Sequence, residues 1–223
     1  MKIPFTKTTL GMEEMEAIRK VIDSGWVVMG EKTKEFEEMF AEYVGGKYAV
    51  FVDSGTAALF LAVQYFKKLN LFSYSVTVPS LTFTSTAEVV VHSGLKLKFE
   101  DVSMKDFCLD TIKHASIGVH LTGNRCGSPS IIFDSAHRIQ RGDVIGSGSL
   151  WCYSFYATKN MTTVNGGMIV TNDEKAAEWL RKARDHGLSK GTIERYKEGQ
   201  WEYSVDFVGW RMKADDVRAA IGI

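Results

Sequence analysis

Short apolar runs of strand length alternate with helix-length segments along most of this chain, and the alternation limits the folds available to it. The run at residues 48–52, "YAVFV", precedes a turn and an apolar helical segment, and "SVTVPSLTFTSTAEVVVHSG" repeats that order. Further strand candidates are "LKLKFEDV", "SIGVHL", "SIIFDSA", "WCYSFYA" and "GGMIVTN". Alternating strands and helices form a mostly parallel, buried sheet with helices on its faces. The sequence therefore predicts one α/β domain.

Two amphipathic helices are predicted before the first strand, and a third near the C-terminal end of the sheet region. The first two are "GMEEMEAIRKVIDSG" and "EKTKEFEEMFAEYVGG", each of which closes on glycine, and the third is "DEKAAEWLRKARDHG". Their spacing places apolar residues on one helical face. These faces comprise Met12, Met15, Ile18 and Ile22 in the first helix and Phe36, Met39, Phe40 and Tyr43 in the second.

Composition excludes several classes of protein. Lys plus Arg and Asp plus Glu number 27 each, so no basic excess indicates a nucleic-acid partner. No apolar run approaches the ~20 residues that span a bilayer, and the N-terminal segment lacks the apolar core of a signal peptide. Cys108, Cys126 and Cys152 are widely spaced and odd in number, which argues against a disulfide framework and a zinc site. We expect a cytoplasmic enzyme or binding protein without a metal.

Polar residues directly after the predicted strands are candidate site residues, because parallel α/β sheets bind ligands beyond the carboxyl ends of their strands. Ser54, Gly55 and Thr56 follow the first strand at a helix start, where free N–H groups and the helix dipole favour an anion. The alternative for these three residues is an ordinary helix cap. Phe83 opens the next helix, and its alternative is a place in the core.

A carboxylate and a lysine follow two further strands. Asp134 comes directly after "SIIF", with His137 three residues later, and a carboxylate in that place needs a partner or water. Its alternative is a helix cap. Lys159 lies five residues after Ser154, between strand-like aromatics and a Gly-Gly turn, where a surface amine would be out of place.

Together these residues match the chemical groups of pyridoxal 5'-phosphate. Its phosphate requires a helix N-terminus and hydroxyls, which the Ser54 segment offers, and its ring requires a flat partner such as Phe83. Its pyridine nitrogen requires a carboxylate, for which Asp134 is the candidate. Its aldehyde requires an amine with which to condense, and Lys159 supplies one. Each signal is weak alone, and the set in this order favours the cofactor.

The chain resembles the DegT/DnrJ/EryC1/StrS family of sugar aminotransferases, which have the aspartate-aminotransferase fold, fold type I. The resemblance runs over nearly the whole chain. It is carried by the segment from "IPFTKTTL" to "MFAEYVG" and by "SGTAAL", "VPSLTFTSTAEVV", "VHLTG", "DSAH", "SFYATKNMTTVNGGMIVTND" and "GWRMKADDVRAAIGI". It implies that residues 1–223 form a three-layer, cofactor-binding large domain with an N-terminal helical arm.

The resemblance implies a role for each residue of the reacting centre. Lys159 is the lysine that binds the cofactor covalently and later moves protons between substrate and cofactor. Asp134 pairs with the pyridine nitrogen, and His137 lies near the phenolic oxygen, where the family has Gln or His. Phe83 matches the aromatic residue that stacks on the ring. Burial near a cationic ring would favour the neutral, reactive form of the Lys159 amine.

The resemblance also implies a phosphate site that two subunits share. Its residues in one subunit are Ser54, Gly55, Thr56, Ala57 and Ser154. Arg211 in "GWRMKADD" occupies the position from which a neighbouring subunit reaches the phosphate, and an arginine fork suits that ligand. The alternative for Arg211 is an exposed surface residue. A homodimer is therefore expected.

Three departures from the family pattern bear on function. Only "TIKHASIG" stands where a helix usually precedes "VHLTG", and only "NRCGSPS" stands where another usually follows it. A parallel crossover normally needs about a dozen residues or more, so a smaller sheet or extended connections are expected. The resemblance ends at "AAIGI", so the C-terminal domain that closes over the substrate in the family is expected to be absent here.

Three functions remain open on the sequence. The first is an aminotransferase acting on a nucleotide-linked keto-sugar, with glutamate or glutamine as amino donor, in cell-surface polysaccharide synthesis. The second is a non-catalytic, truncated relative that binds the cofactor or only dimerises. The third is another reaction of the same cofactor, such as sugar dehydration or lysis. Some relatives that dehydrate sugars carry histidine in place of the lysine, so Lys159 favours transamination.

Overall fold

The computed structural model describes residues 2–4, 6–72, 75–109, 115–127, 129–146, 148–191, 195–196 and 202–223. The helices are α1 (Met12–Asp23), α2 (Glu31–Val44), α3 (Gly55–Lys68), α4 (Thr84–His92), α5 (Glu174–Ala183) and α6 (Asp216–Gly222). The strands are β1 (Tyr48–Val52), β2 (Ser75–Pro79), β3 (Lys96–Glu100), β4 (Ile117–Val119), β5 (Ile132–Asp134), β6 (Leu150–Ser154) and β7 (Gly167–Thr171). Within these ranges, no helix has the length and apolar character that crossing a membrane requires.

The strands pair mostly in parallel, as the sequence predicts. Five of them form a sheet in the order β1-β7-β6-β5-β4, and β2 pairs with β3. The β4–β5, β5–β6 and β2–β3 pairs are parallel, whereas β7 is antiparallel to both of its neighbours. A parallel bridge between Thr77 and Ser116 places β2 beside β4. The predicted α/β class with a mostly parallel sheet is therefore confirmed.

Side chains of the central strands alternate between two apolar clusters, one on each face of the sheet. Cys152 of β6 belongs to the cluster beneath α3 and α5, whereas Trp151 and Tyr153 belong to the cluster beneath α2. All five residues of β6 are buried, as they are in β7. A strand buried on both faces reads as a continuous apolar run, which is why these segments were recognisable from the sequence.

The apolar face of α1 does not join the core. Met12, Met15 and Ile22 are 76%, 62% and 58% exposed, and Val21 is the buried residue of the helix. The helix packs instead beside α6 through a different part of its surface. Periodicity identified the helix correctly but could not tell which partner its apolar face requires.

The described parts of the two connections expected to be short consist of extended chain and turns. The β3–β4 connection contains a bridge between Val102 and Leu109, with residues 110–114 outside the described ranges. The β4–β5 connection contains a single 3-10 turn, Leu121–Gly123, in its described part. A Cβ on Gly118 would lie 2.9 Å from Ser130 Oγ and 3.1 Å from Cys126 Sγ, so this connection lies directly on the sheet. The seven predicted strands are all present among the described residues, and the described parts of both connections contain no α-helix.

Asp216 holds the start of α2, although the two are far apart along the chain. Its Oδ1 accepts hydrogen bonds from Gly30 N (2.7 Å), Thr33 N (2.9 Å) and Thr33 Oγ1 (2.7 Å), and its Oδ2 accepts one from Lys32 N (3.1 Å). Gly30 is the N-cap of α2 and has no side chain with which to accept these donors. The buried carboxylate of Asp216 therefore caps a helix from another part of the chain.

Replacing Asp216 by alanine is expected to lower the free energy of unfolding by about 3 kcal/mol, because buried donors at the start of α2 would lose their acceptor. Urea unfolding measures this change. Asp23→Ala is the matched control, since Asp23 makes an exposed ion pair with Arg19 and its loss should cost less than about 0.5 kcal/mol. Equal midpoints for the two variants would contradict the capping role.

Candidate functional site

A cavity of about 410 Å³ opens at the carboxyl ends of the central strands. Its walls come from the segments that follow β1, β2, β4, β5 and β6. Eight residues predicted for the site line it, namely Ser54, Gly55, Thr56, Phe83, Asp134, His137, Ser154 and Lys159. Residues from separate segments thus meet where a parallel sheet is expected to bind its ligand.

The N-terminus of α3 is pressed against the end of β6. Ser54 is the N-cap, and its Oγ accepts the Ala57 N–H at 3.1 Å, so the capping alternative also holds for this serine. A Cβ on Gly55 would lie 2.7 Å from Ser154 Cβ, which explains the glycine. Ala57 is buried and not among the lining residues, and its N–H is used by the cap. The exposed Thr56 hydroxyl, the Ser154 hydroxyl and the start of α3 lie along one wall of the cavity, and donors of this kind suit an anion.

The turn from β6 back to β7 uses its glycines for close packing. The residue with left-handed backbone is Val164, at φ 69°, whereas Gly166 and Gly167 have ordinary φ. A Cβ on Gly166 would lie 2.6 Å from Thr163 Oγ1, and one on Gly167 would overlap the Ser54 carbonyl oxygen. The two glycines therefore bring the β7 strand against the start of α3, beside the cavity.

Phe83 is 68% exposed, so the alternative of a core residue is wrong. It is the N-cap residue of α4 and its ring lies at the cavity wall. An exposed aromatic ring at the mouth of a cavity offers a flat apolar face to a planar ligand.

Asp134 is the last residue of β5 and its side chain is buried. Its Oδ2 accepts a hydrogen bond from Thr86 Oγ1 at 2.7 Å, and its Oδ1 accepts one from Ala136 N at 3.1 Å. Burial raises the pKa of this carboxyl, against the two hydrogen bonds and the charges of His137 and Lys159. Asp134 caps no helix among the described residues. Each of its two carboxylate oxygens can accept a further hydrogen bond, and a cationic group in the cavity could donate it.

His137 is half-buried beside Asp134, and burial followed by the nearby Lys159 charge lowers its pKa. The Thr122 N–H approaches His137 Nδ1 at 3.4 Å. A neutral ring that accepts at Nδ1 carries its proton on Nε2. His137 is therefore set to donate a hydrogen bond.

Lys159 lies in the turn after β6, where its backbone N–H donates to the Tyr156 carbonyl at 2.9 Å. Its side chain is half-buried and reaches the cavity. Burial lowers the pKa of its amine, and the attraction of Asp134 opposes this effect. A larger neutral fraction makes the amine a better nucleophile towards a carbonyl group.

Arg211 is the predicted site residue that lies away from the cavity. It is exposed and its backbone bridges Asp185. Within one chain, the structure does not bring it to the other site residues.

Two residues that sequence reasoning missed lie at the site. Thr86 contacts Asp134, and the hydroxyl-rich start of α4, "TFTST", was the available signal. His120 is buried, stacks on Phe133 and Trp151, and accepts the Cys126 N–H at Nδ1 (2.7 Å). Burial lowers the pKa of His120 to about 4, so the ring is neutral.

The chemistry of these groups fits pyridoxal 5'-phosphate. The α3 N-terminus and the Thr56 and Ser154 hydroxyls suit its phosphate, and the exposed face of Phe83 suits its ring. The Asp134 carboxylate suits a protonated pyridine nitrogen, and the Lys159 amine suits the aldehyde. All four needs are met inside one cavity.

Comparison with known proteins points the same way. The sequence model of the DegT/DnrJ/EryC1/StrS aminotransferase family matches residues 8–223. The spore coat polysaccharide biosynthesis protein SpsC of Bacillus subtilis is 35% identical over 246 residues, which cover 99% of this chain and 63% of SpsC. This chain has 223 residues, so SpsC carries residues with no counterpart here, in agreement with the shortened connections.

Solved structures with the same fold include two that differ in their bound ligands. The pyridoxal-phosphate form of the putative sugar aminotransferase Spr1654 from Streptococcus pneumoniae has a TM-score of 0.84 and 25% identity, over 100% of this chain and 65% of that one. A point mutant of GDP-4-keto-6-deoxymannose-3-dehydratase (ColD), with bound GDP-perosamine, has a TM-score of 0.83 and 27% identity, over 99% and 67%. The chain thus spans about two thirds of the length of its relatives.

Proposed function

Because the chain belongs to the DegT/DnrJ/EryC1/StrS aminotransferase family, we propose that it is the cofactor-binding part of a pyridoxal-phosphate-dependent sugar aminotransferase. The observation that carries the proposal is the meeting of Lys159, Asp134 and the α3 N-terminus in one cavity. A lysine with a lowered amine pKa beside a buried carboxylate is unusual on a protein surface and typical of this chemistry.

Each residue has a distinct task in this proposal. When bound, the cofactor supplies an aldehyde and an electron-accepting ring. Lys159 Nζ, in its neutral form, would hold the cofactor through its aldehyde with loss of water, and the same amine could later carry a proton. The Asp134 carboxylate would favour a proton on the pyridine nitrogen, and His137 Nε2–H would be available to the phenolic oxygen. The exposed face of Phe83 would pack against the ring and exclude water there.

The proposed substrate is a nucleotide-linked keto-sugar, and the proposed amino donor is glutamate or glutamine. The names of relatives support the sugar class, since the ColD structure contains a GDP-sugar and SpsC is named for polysaccharide biosynthesis. The chain spans 63% of SpsC, so a contribution from further residues to substrate binding is part of the proposal.

We further propose that the protein is a two-fold symmetric homodimer in which Arg211 reaches the partner's phosphate site. Arg211 is exposed and away from its own cavity, and the exposed apolar face of α1 offers surface for association. Sedimentation should show a dimer at micromolar concentration with the cofactor bound. A monomer under these conditions would contradict the proposal that Arg211 reaches the phosphate site of a partner subunit.

The visible absorption spectrum of the purified protein with added pyridoxal 5'-phosphate tests the function. We expect a new band that borohydride removes and that glutamate or glutamine bleaches. A band that neither amino acid affects would instead indicate the non-catalytic alternative, a relative that binds the cofactor without turning it over. A protein that shows no band at all would overturn cofactor binding.

A further inference from the structure

A chain of hydroxyl groups leads from the rim of the cavity to the buried Asp134. Thr82 Oγ1 lies 2.9 Å from Thr86 Oγ1, which lies 2.7 Å from Asp134 Oδ2. Thr86 is completely buried at the third position of α4 and is not among the residues that line the cavity, whereas Thr82 is partly exposed and lines it. Thr86 therefore has no surface in the cavity and is linked to it through Asp134 and Thr82.

The charge of Asp134 fixes the direction of these hydrogen bonds. A carboxylate accepts hydrogen bonds and donates none, so the single Thr86 hydroxyl proton must point to Asp134. The Thr86 oxygen is then free to accept, which makes Thr82 the donor to Thr86. A protonated Asp134 would not impose this order, because its own O–H could donate to Thr86.

We propose that Thr86 is a positioning residue that keeps the Asp134 carboxylate ionised and aimed into the cavity, and that Thr82 reinforces it. Hydrogen bonds to the charged form of a carboxyl favour that form. The first turn of α4 adds to the effect, since a helix N-terminus attracts negative charge. Burial acts in the opposite direction, because apolar surroundings make the charged carboxylate less stable. The Thr86 hydroxyl, supported by Thr82, offsets part of this loss.

Other groups around Asp134 also influence whether its carboxyl is ionised. His137 and Lys159 face it from the segments after β5 and β6 and favour its charge, and Cys152 faces it from β6 with a thiol whose pKa burial raises. Ala136 N donates the remaining protein hydrogen bond. Thr86 is the hydroxyl partner whose removal leaves all of these groups in place.

The test uses the apoprotein first, so that it does not depend on the proposed function. A carboxyl whose pKa is raised by folding makes the protein less stable as pH rises above the unfolded value of about 4. Thr86→Val keeps the shape of the side chain and removes the hydroxyl, so the pKa of Asp134 in the folded state should rise further. One carboxyl changes the slope by at most one proton, so the loss of stability should extend to higher pH and reach a larger total than in the wild type. Thr86→Ser should restore the wild-type profile. Urea unfolding at a series of pH values measures both.

The same Thr86→Val change in an Asp134→Asn background should give a pH profile parallel to that of Asp134→Asn alone. Parallel profiles of Thr86→Val and wild type, with Asp134 present, would show a merely structural threonine and overturn the inference. If Thr86→Val does not fold, Thr82→Val should extend the loss of stability to higher pH to a smaller degree. A Thr82→Val profile parallel to that of the wild type would then overturn the inference.

The consequence for the cofactor rests on the proposed function. Pyridoxal 5'-phosphate should bind Thr86→Val roughly tenfold more weakly than wild type, because a charge-assisted hydrogen bond from the pyridine nitrogen would be lost. Fluorescence titration measures this, and Thr86→Ser should bind like wild type. Equal binding by Thr86→Val would count against the inference. If the wild type binds no cofactor, the proposed function fails, and the apoprotein profiles still decide the role of Thr86.

Discussion

Lys159→Ala is expected to abolish the covalent attachment of pyridoxal 5'-phosphate to this protein. The amine of Lys159 reaches the cavity, and its lowered pKa makes it the candidate nucleophile there. The free energy of unfolding should change by less than about 0.5 kcal/mol, because the half-buried side chain belongs to neither apolar cluster. Non-covalent binding should survive in part through the α3 N-terminus and Ser154.

Mass spectrometry of peptides from borohydride-reduced protein measures this prediction. The wild type should carry the pyridoxyl mass on Lys159, and Lys159→Ala should carry none. Lys47→Ala is a suitable control, since Lys47 is exposed and away from the cavity, and it should keep the adduct on Lys159. An adduct on Lys47 or on Lys213, which pairs with Asp185, would show that the wrong lysine has been assigned.

Asp134→Asn is expected to slow the half-reaction with the amino donor by about 10²–10³-fold, while cofactor attachment to Lys159 persists. The neutral amide cannot hold a proton on the pyridine nitrogen, so the ring becomes a poorer electron acceptor. Stopped-flow bleaching of the bound cofactor with glutamate measures the rate. A rate equal to that of the wild type would show that the Asp134 carboxylate does not contribute to the half-reaction.

The same substitution should stabilise the protein when no cofactor is present. Folding raises the pKa of Asp134, so the wild type loses stability as pH rises from about 4 through the folded-state pKa. Asn carries no charge to bury, so Asp134→Asn should be more stable than wild type at pH 7 and lose this advantage near pH 4. Urea unfolding of the apoproteins measures the difference. A variant of lower stability at pH 7 would mean that Asp134 contributes to folding rather than opposing it.

The strands and the cavity residues were predictable from the sequence because local signals define them. Buried strands such as β6 and β7 read as apolar runs, Asp134 ends β5, and Lys159 lies in the turn after β6. Phe83 required the resemblance, because an aromatic residue at a helix start reads equally as core. Its exposure in the structure removed that alternative.

Features that depend on distant parts of the chain were not predictable. The helical period of α1 does not reveal that Met12 and Met15 face away from the core. Nor does the sequence near α2 indicate its cap, since Asp216 lies 186 residues from Gly30. Thr86 was missed because a threonine in a helix carries no sign of its partner until β5 is placed beside α4.

The cap that Asp216 provides has a consequence for how the domain folds. Helix α2 can form early, but its first turn stays uncapped until the chain has been synthesised as far as α6 and a loop of 186 residues has closed. The pairing of Tyr48 in β1 with Thr171 in β7 imposes the same delay on the edge of the sheet. Such long-range closures give a high contact order and slow folding. During synthesis on the ribosome, the N-terminal helices would therefore stay incompletely packed until β7 and α6 have been made.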